Sequence, residues 1–300
     1  MSFFEIVIQQ LINGLQSGSI YALVALGYSM VYGIISLLNF AHGDIIMVGS
    51  YLSWFALTTF APYIPMPLAV VLAVLMSVVG CVILGVSIEF AAYRPLRKSP
   101  RISLLITAIG ISYLLGNAAQ MIVGASAKNV PYPKLAPLQV GGLTISSTAV
   151  LCMGITAVSM IALTLLVRKT KSGKAMRAVS EDADAALLMG INVNRTITFT
   201  FAIGSALAGI GAILYCLAYP QASPFMGGML GLKAFVAAVL GGIGSIPGAM
   251  IGGLLIGVME ALVSAVGLST WKDGVVFAIL IIVLLVRPAG IMGKPTTEKV

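Results

Sequence analysis

Residues 168–195 read RKTKSGKAMRAVSEDADAALLMGINVNR and hold nine of the chain's 26 Asp, Glu, Lys and Arg residues. The segment is too polar to sit in lipid and too patterned to be a mere connector. A long loop that brings its own short helix usually has a partner. The charge gathered here is missing elsewhere, and that imbalance decides the fold.

The chain has 300 residues, 59% hydrophobic and 9% charged, where a soluble domain carries roughly 25% charged residues. No soluble fold hides that much apolar surface, since even large domains keep a substantial surface in water. With lipid as the solvent the composition is natural, and runs of about 20 apolar residues cross the bilayer core as helices. The expected fold class is all-α: a polytopic transmembrane helical bundle of eight or nine membrane segments. The expected spans are 17–36, 45–60, 67–90, 102–124, 146–167, 196–218, 229–245, 248–266 and 274–287.

The net charge of +8 is clustered: Arg94, Arg97, Lys98 and Arg101; then Arg168, Lys169, Lys171, Lys174 and Arg177; then Arg287, Lys294 and Lys299. Short loops rich in Lys and Arg stay cytoplasmic, so membrane topology explains the charge and no nucleic-acid partner is expected. Placing 94–101 and 168–195 inside puts the loop 125–145, with Pro131, Pro133 and Pro137, outside. No Lys or Arg precedes Arg94, so a cationic signal-peptide start is missing; the N-terminus is expected to be retained and outside, and the C-terminus cytoplasmic. Residues 3–16 are expected along the interface ahead of the first crossing. Cys81, Cys152 and Cys216 lie inside apolar runs without metal-like spacing and read as small packing residues.

Two interruptions stand out. NFAHGD (39–44) is a polar break between apolar runs. GGIGSIPG (241–248) is either a tight inner turn, giving nine segments, or a re-entrant break, giving eight; nine satisfies the charge rule at both ends. Around it small residues recur every fourth position: Gly244, Gly248 and Gly252 on one stripe, and Ala249, Gly253, Gly257, Ala261 and Ala265 on the next. Such stripes let helix backbones approach closely; the other reading is a groove for substrate.

Within the island Ser180 is the expected N-cap, followed by Glu181 and Asp182 at the positive end of the helix dipole. Gly190 suits the left-handed conformation that ends a helix, with Ile191 folding back on Ala186. The resulting helix of about 12 Å is unstable alone in water. Its apolar side, Val179, Ala183, Ala186, Leu187 and Gly190, needs something to pack on. Arg177, Glu181 and Asp184 fall on a neighbouring face, open to ion pairing.

DAALLMG (184–190) resembles the EAA-xxx-G motif of ABC importer permeases, with Asp184 for the leading Glu and Ala185, Ala186 and Gly190 in place. Together LLNFAHGDIIMVGSY (37–51), YRPLRKSPR (93–101), RAVSEDADAALLMGINVNR (177–195) and GGIGSIPGAMIGGLLIG (241–257) resemble the H-type permease subunit of branched-chain amino acid ABC importers, over essentially the whole chain. Permeases for urea and short amides are similar in architecture, but NFAHG and GSIPGA look more like the amino-acid branch. The resemblance implies one transmembrane permease domain over 1–300 in a bacterial inner membrane. It also implies a coupling helix in which Arg177, Glu181, Asp184, Ala185, Ala186 and Gly190 meet an ATPase. The implied partners are a second, longer permease forming a heterodimer, two cytosolic ATPase subunits, a periplasmic substrate-binding protein and membrane lipid. ATP and magnesium would be used by the ATPases. No GxxxxGK[ST] pattern is present, and this chain is expected to bind no cofactor or metal and to hold no catalytic residue.

Asn39, His42, Asp44 and Glu260 are candidates for the translocation pathway, since ionisable groups at membrane depth are functional by default. The competing reading for His42 and Asp44 is helix capping in contact with water; for Glu260 it is pairing with a base on a neighbouring helix. Glu89, close to Arg94, reads as an interface anchor. Lys233, Lys272 and Asp273 fall near expected span ends, where long side chains snorkel. An ion-coupled secondary transporter would have paired carboxylates or broken helices in both halves and no use for a coupling helix. A membrane enzyme has little support from one histidine and scattered carboxylates.

Overall fold

The computed structural model describes residues 3–35, 39–97, 99–133, 136–140 and 143–293. Lys98, Lys134, Lys294, Lys299 and residues 36–38 lie outside these. The elements are α1 (Phe3–Ile35), α2 (His42–Phe60), α3 (Met66–Ile88), α4 (Arg94–Leu96), α5 (Arg101–Val123), α6 (Ser147–Lys169), α7 (Lys171–Glu181), α8 (Ala183–Leu188), α9 (Val193–Ala218), α10 (Met226–Gly241), α11 (Ile246–Ala265) and α12 (Lys272–Val286). A π-helical turn, Glu89–Tyr93, joins α3 to α4. Two small antiparallel pairs complete the fold: β1 (Lys128–Asn129) with β4 (Gln221–Ala222), and β2 (Leu138–Val140) with β3 (Leu143–Ile145).

Among the described residues every expected span contains a helix. Seven segments are long and apolar enough to cross a membrane by themselves, and the apolar α10 is shorter. The 19-residue α2 is not among the seven. It carries His42, Asp44, Ser50 and Ser53 fully inside the protein, packed by α3, α9 and α10, so its polar groups meet protein instead of lipid. The middle of the bundle is α1 and α9, 72% and 61% buried along their apolar windows; α12, at 6%, sits at its edge.

Helix starts follow local chemistry. Ser245 accepts a bond from the Gly248 amide at 3.2 Å, Thr170 from Gly173 at 3.0 Å and Asn192 from Arg195 at 3.0 Å, each satisfying a donor that the first turn leaves free. α1 differs from expectation. Residues 3–16 are no separate interfacial segment; they continue the span as one helix of 33 residues, about 50 Å long. The cause is packing, because Gly14 and Gly18 both lie against α11 and carry the contact toward the N-terminus. Gln9 then exchanges two hydrogen bonds with the Thr144 backbone, at 2.9 and 3.2 Å. The start of α1 and the loop 125–145 therefore share one end of the bundle.

The two small-residue stripes serve two different interfaces. A Cβ on Gly248 or Gly252 would collide with the backbone of Gly241 or Ala237 in α10, and one on Gly253 or Gly257 with Ala22 or Gly18 in α1. Without a hydrophobic drive between helices in lipid, such backbone approach is what holds them together. The stripes are helix interfaces. Between α10 and α11 the chain turns at Gly242 and Gly244, with φ of 103° and 86°. Ile291 and Met292 donate to the Leu240 and Gly241 carbonyls, both at 2.9 Å, tying the C-terminal segment onto that turn. The stretch 241–248 is thus a turn between two packed helices. α10 itself has 16 residues, about 24 Å, short of the roughly 30 Å bilayer core. Its first turn abuts Gly43 at the start of α2.

Gly257→Leu is expected to lower the stability of the purified protein by about 1–3 kcal/mol through overpacking. Gly154, with nothing within 4 Å of its Cβ position, should accept alanine without loss. Thermal unfolding of the two variants in one detergent measures the contrast.

Candidate functional site

The island folds as two helices. α7 runs from Lys171, and its buried residues Gly173, Met176 and Val179 face α1, α6 and α9. Gly173 is required at the corner, since a Cβ would collide with the Leu166 and Val167 carbonyls of α6. The expected N-cap is corrected: Ser180 lies in the last turn of α7, donating to the Arg177 carbonyl at 2.8 Å, and Glu181 ends that helix. Asp182 is the cap of α8, with φ −159° and ψ 109°, accepting from the Asp184 and Ala185 amides at 2.9 Å each. The Gly173, Met176 and Val179 face finds a bundle to bury against, so helix forms upstream and the break moves to the next good cap.

At the other end Gly190 adopts φ +83°. Its amide donates to Leu187 and the Ile191 amide to Ala186, both at 3.0 Å, the paired bonds of a Schellman ending. α8 is thus closed on both sides by side-chain and backbone bonds. The anticipated apolar stripe divides. Val179 and Ala186 are buried against the protein, whereas Ala183, Leu187 and Gly190 face outward. The most exposed apolar side chains on the island are Leu188, at 88%, and Met189, at 83%, beside Leu187. Leu188 and Met189 fell outside the stripe read from the sequence; the signal for them was an apolar trio with no internal surface left to cover. Arg177, Asp184 and Glu181 are exposed and make no ion pair among the described residues.

Directly after α8, α9 begins on a second polar construction. Glu89, read as an interface anchor, is completely buried in the π-helical turn. It accepts from Arg94 at 3.1 Å, from Thr198 at 2.8 Å and from Arg97. Arg97 also donates to Asn194 at 2.7 Å. Two arginines from the YRPLR stretch therefore fasten the end of α3 to the first turns of α9. These partnerships were invisible in the sequence, because Asn194 lies 97 residues after Arg97 and Thr198 lies 109 after Glu89.

The candidate pathway residues form two groups. The Tyr93 hydroxyl donates to Asn39 at 2.9 Å. His42 packs edge-on to Tyr28, with ring centroids 4.8 Å apart, in space left by Gly27. Asp44 lies two residues on, beside Gly43, which touches Gly227 and Gly231 of α10. All three polar residues are buried, which removes the reading of His42 and Asp44 as water-exposed caps. Glu260 belongs elsewhere. It takes the Tyr21 hydroxyl at 2.8 Å and the Lys233 ammonium at 2.7 Å, and Lys233 also meets Asp273 at 2.7 Å. Lys233 is 7% exposed and does not snorkel: α10 is enclosed at this level, so its amine turns to the carboxylates of α11 and α12. Within the described residues no side-chain bond joins the two groups, although Tyr21 and Tyr28 come from the same helix.

The family described as "Branched-chain amino acid transport system / permease component" matches residues 10–284. The chain is 46% identical to the "High-affinity branched-chain amino acid transport system permease protein BraD" of Pseudomonas aeruginosa, covering 98% of each. It is 45% identical to the LivH protein of the same description from Escherichia coli K12, covering 99% of each. A "Probable branched-chain amino acid transport permease protein LivH" of Methanocaldococcus jannaschii is 31% identical, over 92% of this chain and 89% of that one.

Lys233→Met leaves two carboxylates facing each other without their cation, and should cost about 3–5 kcal/mol. Adding Glu260→Gln to that variant should recover part of the loss, a coupling that a double-mutant cycle of unfolding free energies measures.

Proposed function

The chain belongs to the family of permease components of branched-chain amino acid transport systems, and from that premise we propose that it forms half of the translocation pathway of an ATP-driven importer of leucine, isoleucine and valine. It is a multi-pass inner-membrane transport subunit and not an enzyme. The other half of the pathway is a second, longer permease. Two cytosolic ATPase subunits use ATP and magnesium on its behalf, and a periplasmic binding protein delivers the substrate. In this reading the end of the bundle with α7 and α8 is cytoplasmic, in keeping with its Lys and Arg, and the N-terminus lies outside.

The observation that carries the proposal is the tip of the island. Leu187, Leu188 and Met189 stand exposed on a short helix whose backbone is already closed by Asp182 and Gly190. An apolar knob with that degree of order suits a preformed groove on a water-soluble partner. Asp184, Glu181 and Arg177 are exposed on the same island without an ion pair among the described residues, so their charges are open to that partner's; Ala185 keeps the helix slim. A push on α8 passes to α7, which is packed on α1, α6 and α9. From Asn194 it also reaches Arg97 and Glu89, and so α3. Closure of the ATPases thereby alternates access to a pathway for which Asn39, His42, Asp44 and Glu260 remain the candidate linings. The names of the relatives support amino acids over urea or short amides.

Leu188→Asp with Met189→Asp is expected to abolish co-purification of the ATPase subunits and leucine uptake, while membrane insertion and thermal stability stay unchanged. Uptake at the unaltered rate would contradict the docking role. Competition of labelled leucine uptake by isoleucine and valine, and no competition by urea or acetamide, is the expected substrate pattern.

A further inference from the structure

Between the end of α3 and the start of α9 lies an open depression of about 560 Å³, lined by Arg94, Asn192, Asn194, Arg195, Thr198 and Phe199. Its rim is cationic. Glu89, the acid bonded to its lining, has both oxygens engaged by Arg94, Arg97 and Thr198. The exposed guanidinium of Arg195 has neither a hydrogen bond nor an ion pair among the described residues. Asn194 accepts from Arg97 through its oxygen, which leaves its amide N–H groups as donors at the rim. The first turn of the 26-residue α9 opens here as well, and the N-terminus of a helix favours a phosphate.

One turn further into the membrane the lining changes character. Phe199 lines the depression from α9 and is 41% exposed; beside it, outside the lining itself, Phe90 is 62% exposed with the Arg94 guanidinium 4.7 Å above its ring. Cations at the water boundary over exposed aromatics at lipid depth match an amphiphile whose head is anionic and whose body is acyl chain. We propose that this depression is a binding site for an anionic phospholipid, its phosphate held by Arg195, Arg94 and Asn194 and its chains laid along Phe199 and Phe90. The lipid then braces the joint through which α8 and α9 pull on α3. The site does not depend on which substrate is carried.

The test uses the intact transporter, purified with its partner subunits and stripped of lipid, with retained lipids counted by native mass spectrometry. Phosphatidylglycerol should be retained saturably and phosphatidylcholine not. Arg195→Gln should raise the half-saturating phosphatidylglycerol concentration about fivefold, and Arg195→Lys should restore most of the affinity. Equal retention of phosphatidylcholine, or no change in Arg195→Gln, overturns the proposal. Displacement of phosphatidylglycerol by millimolar inorganic phosphate would make this a site for the free anion, and loss of the ATPases from Arg195→Gln with lipid binding intact would make it a protein contact; either result overturns it too.

Discussion

Helix α1 meets α11 backbone to backbone, Gly14, Gly18 and Ala22 against Gly253 and Gly257, and most of the bundle is arranged around that contact. Lipid offers no hydrophobic drive for helix association, so close approach and dispersion must supply it. α1 also packs on α6, α7, α9 and α10. It therefore carries the position of the island at one end and the ion cluster of Tyr21, Glu260, Lys233 and Asp273 along its length. The second glycine stripe of α11 seats α10 in the same way, which brings Lys233 to Glu260.

Two of the buried carboxylates, Glu89 and Glu260, are paired, whereas Asp44 is buried without an ion pair among the described residues. Glu89 sits with two arginines and the Thr198 hydroxyl, and Glu260 with Lys233 and the Tyr21 hydroxyl, pairing that offsets the cost of burying a charged carboxylate. Arg177, Glu181 and Asp184 keep their charges in water. At the tip of the island, Leu187, Leu188 and Met189 and the charges of Glu181 and Asp184 are exposed and unused within the described residues, which is the basis for proposing a partner there.

Much of this was legible in the sequence. Run lengths located the helices, because a span leaves its length in composition, and the Gly190 ending followed from the need for a positive φ. The small-residue stripes predicted close packing but not its targets, since a stripe names a face without naming what it meets. Ser180 and Asp182 are both good caps, and local preference alone cannot rank them; the burial of Met176 and Val179 decided for Asp182. Lys233 looked like a snorkelling residue because its carboxylate partners come from α11 and α12, far along the chain. Leu188 and Met189 were passed over for a related reason: exposure is a property of the assembled bundle, and helical spacing had assigned the apolar face to Val179 and Ala186.

The central claim is that the tip of α8 seats in an ATPase subunit. Cys81, Cys152 and Cys216 are all buried, so Leu188→Cys places one accessible thiol at that tip. Labelling it with a water-soluble maleimide, in the permease alone and in the assembled transporter, measures the claim most directly. The account predicts rapid labelling of the separated permease and strong protection, with cross-linking to an ATPase subunit, in the complex. Equal labelling rates in both states would contradict it.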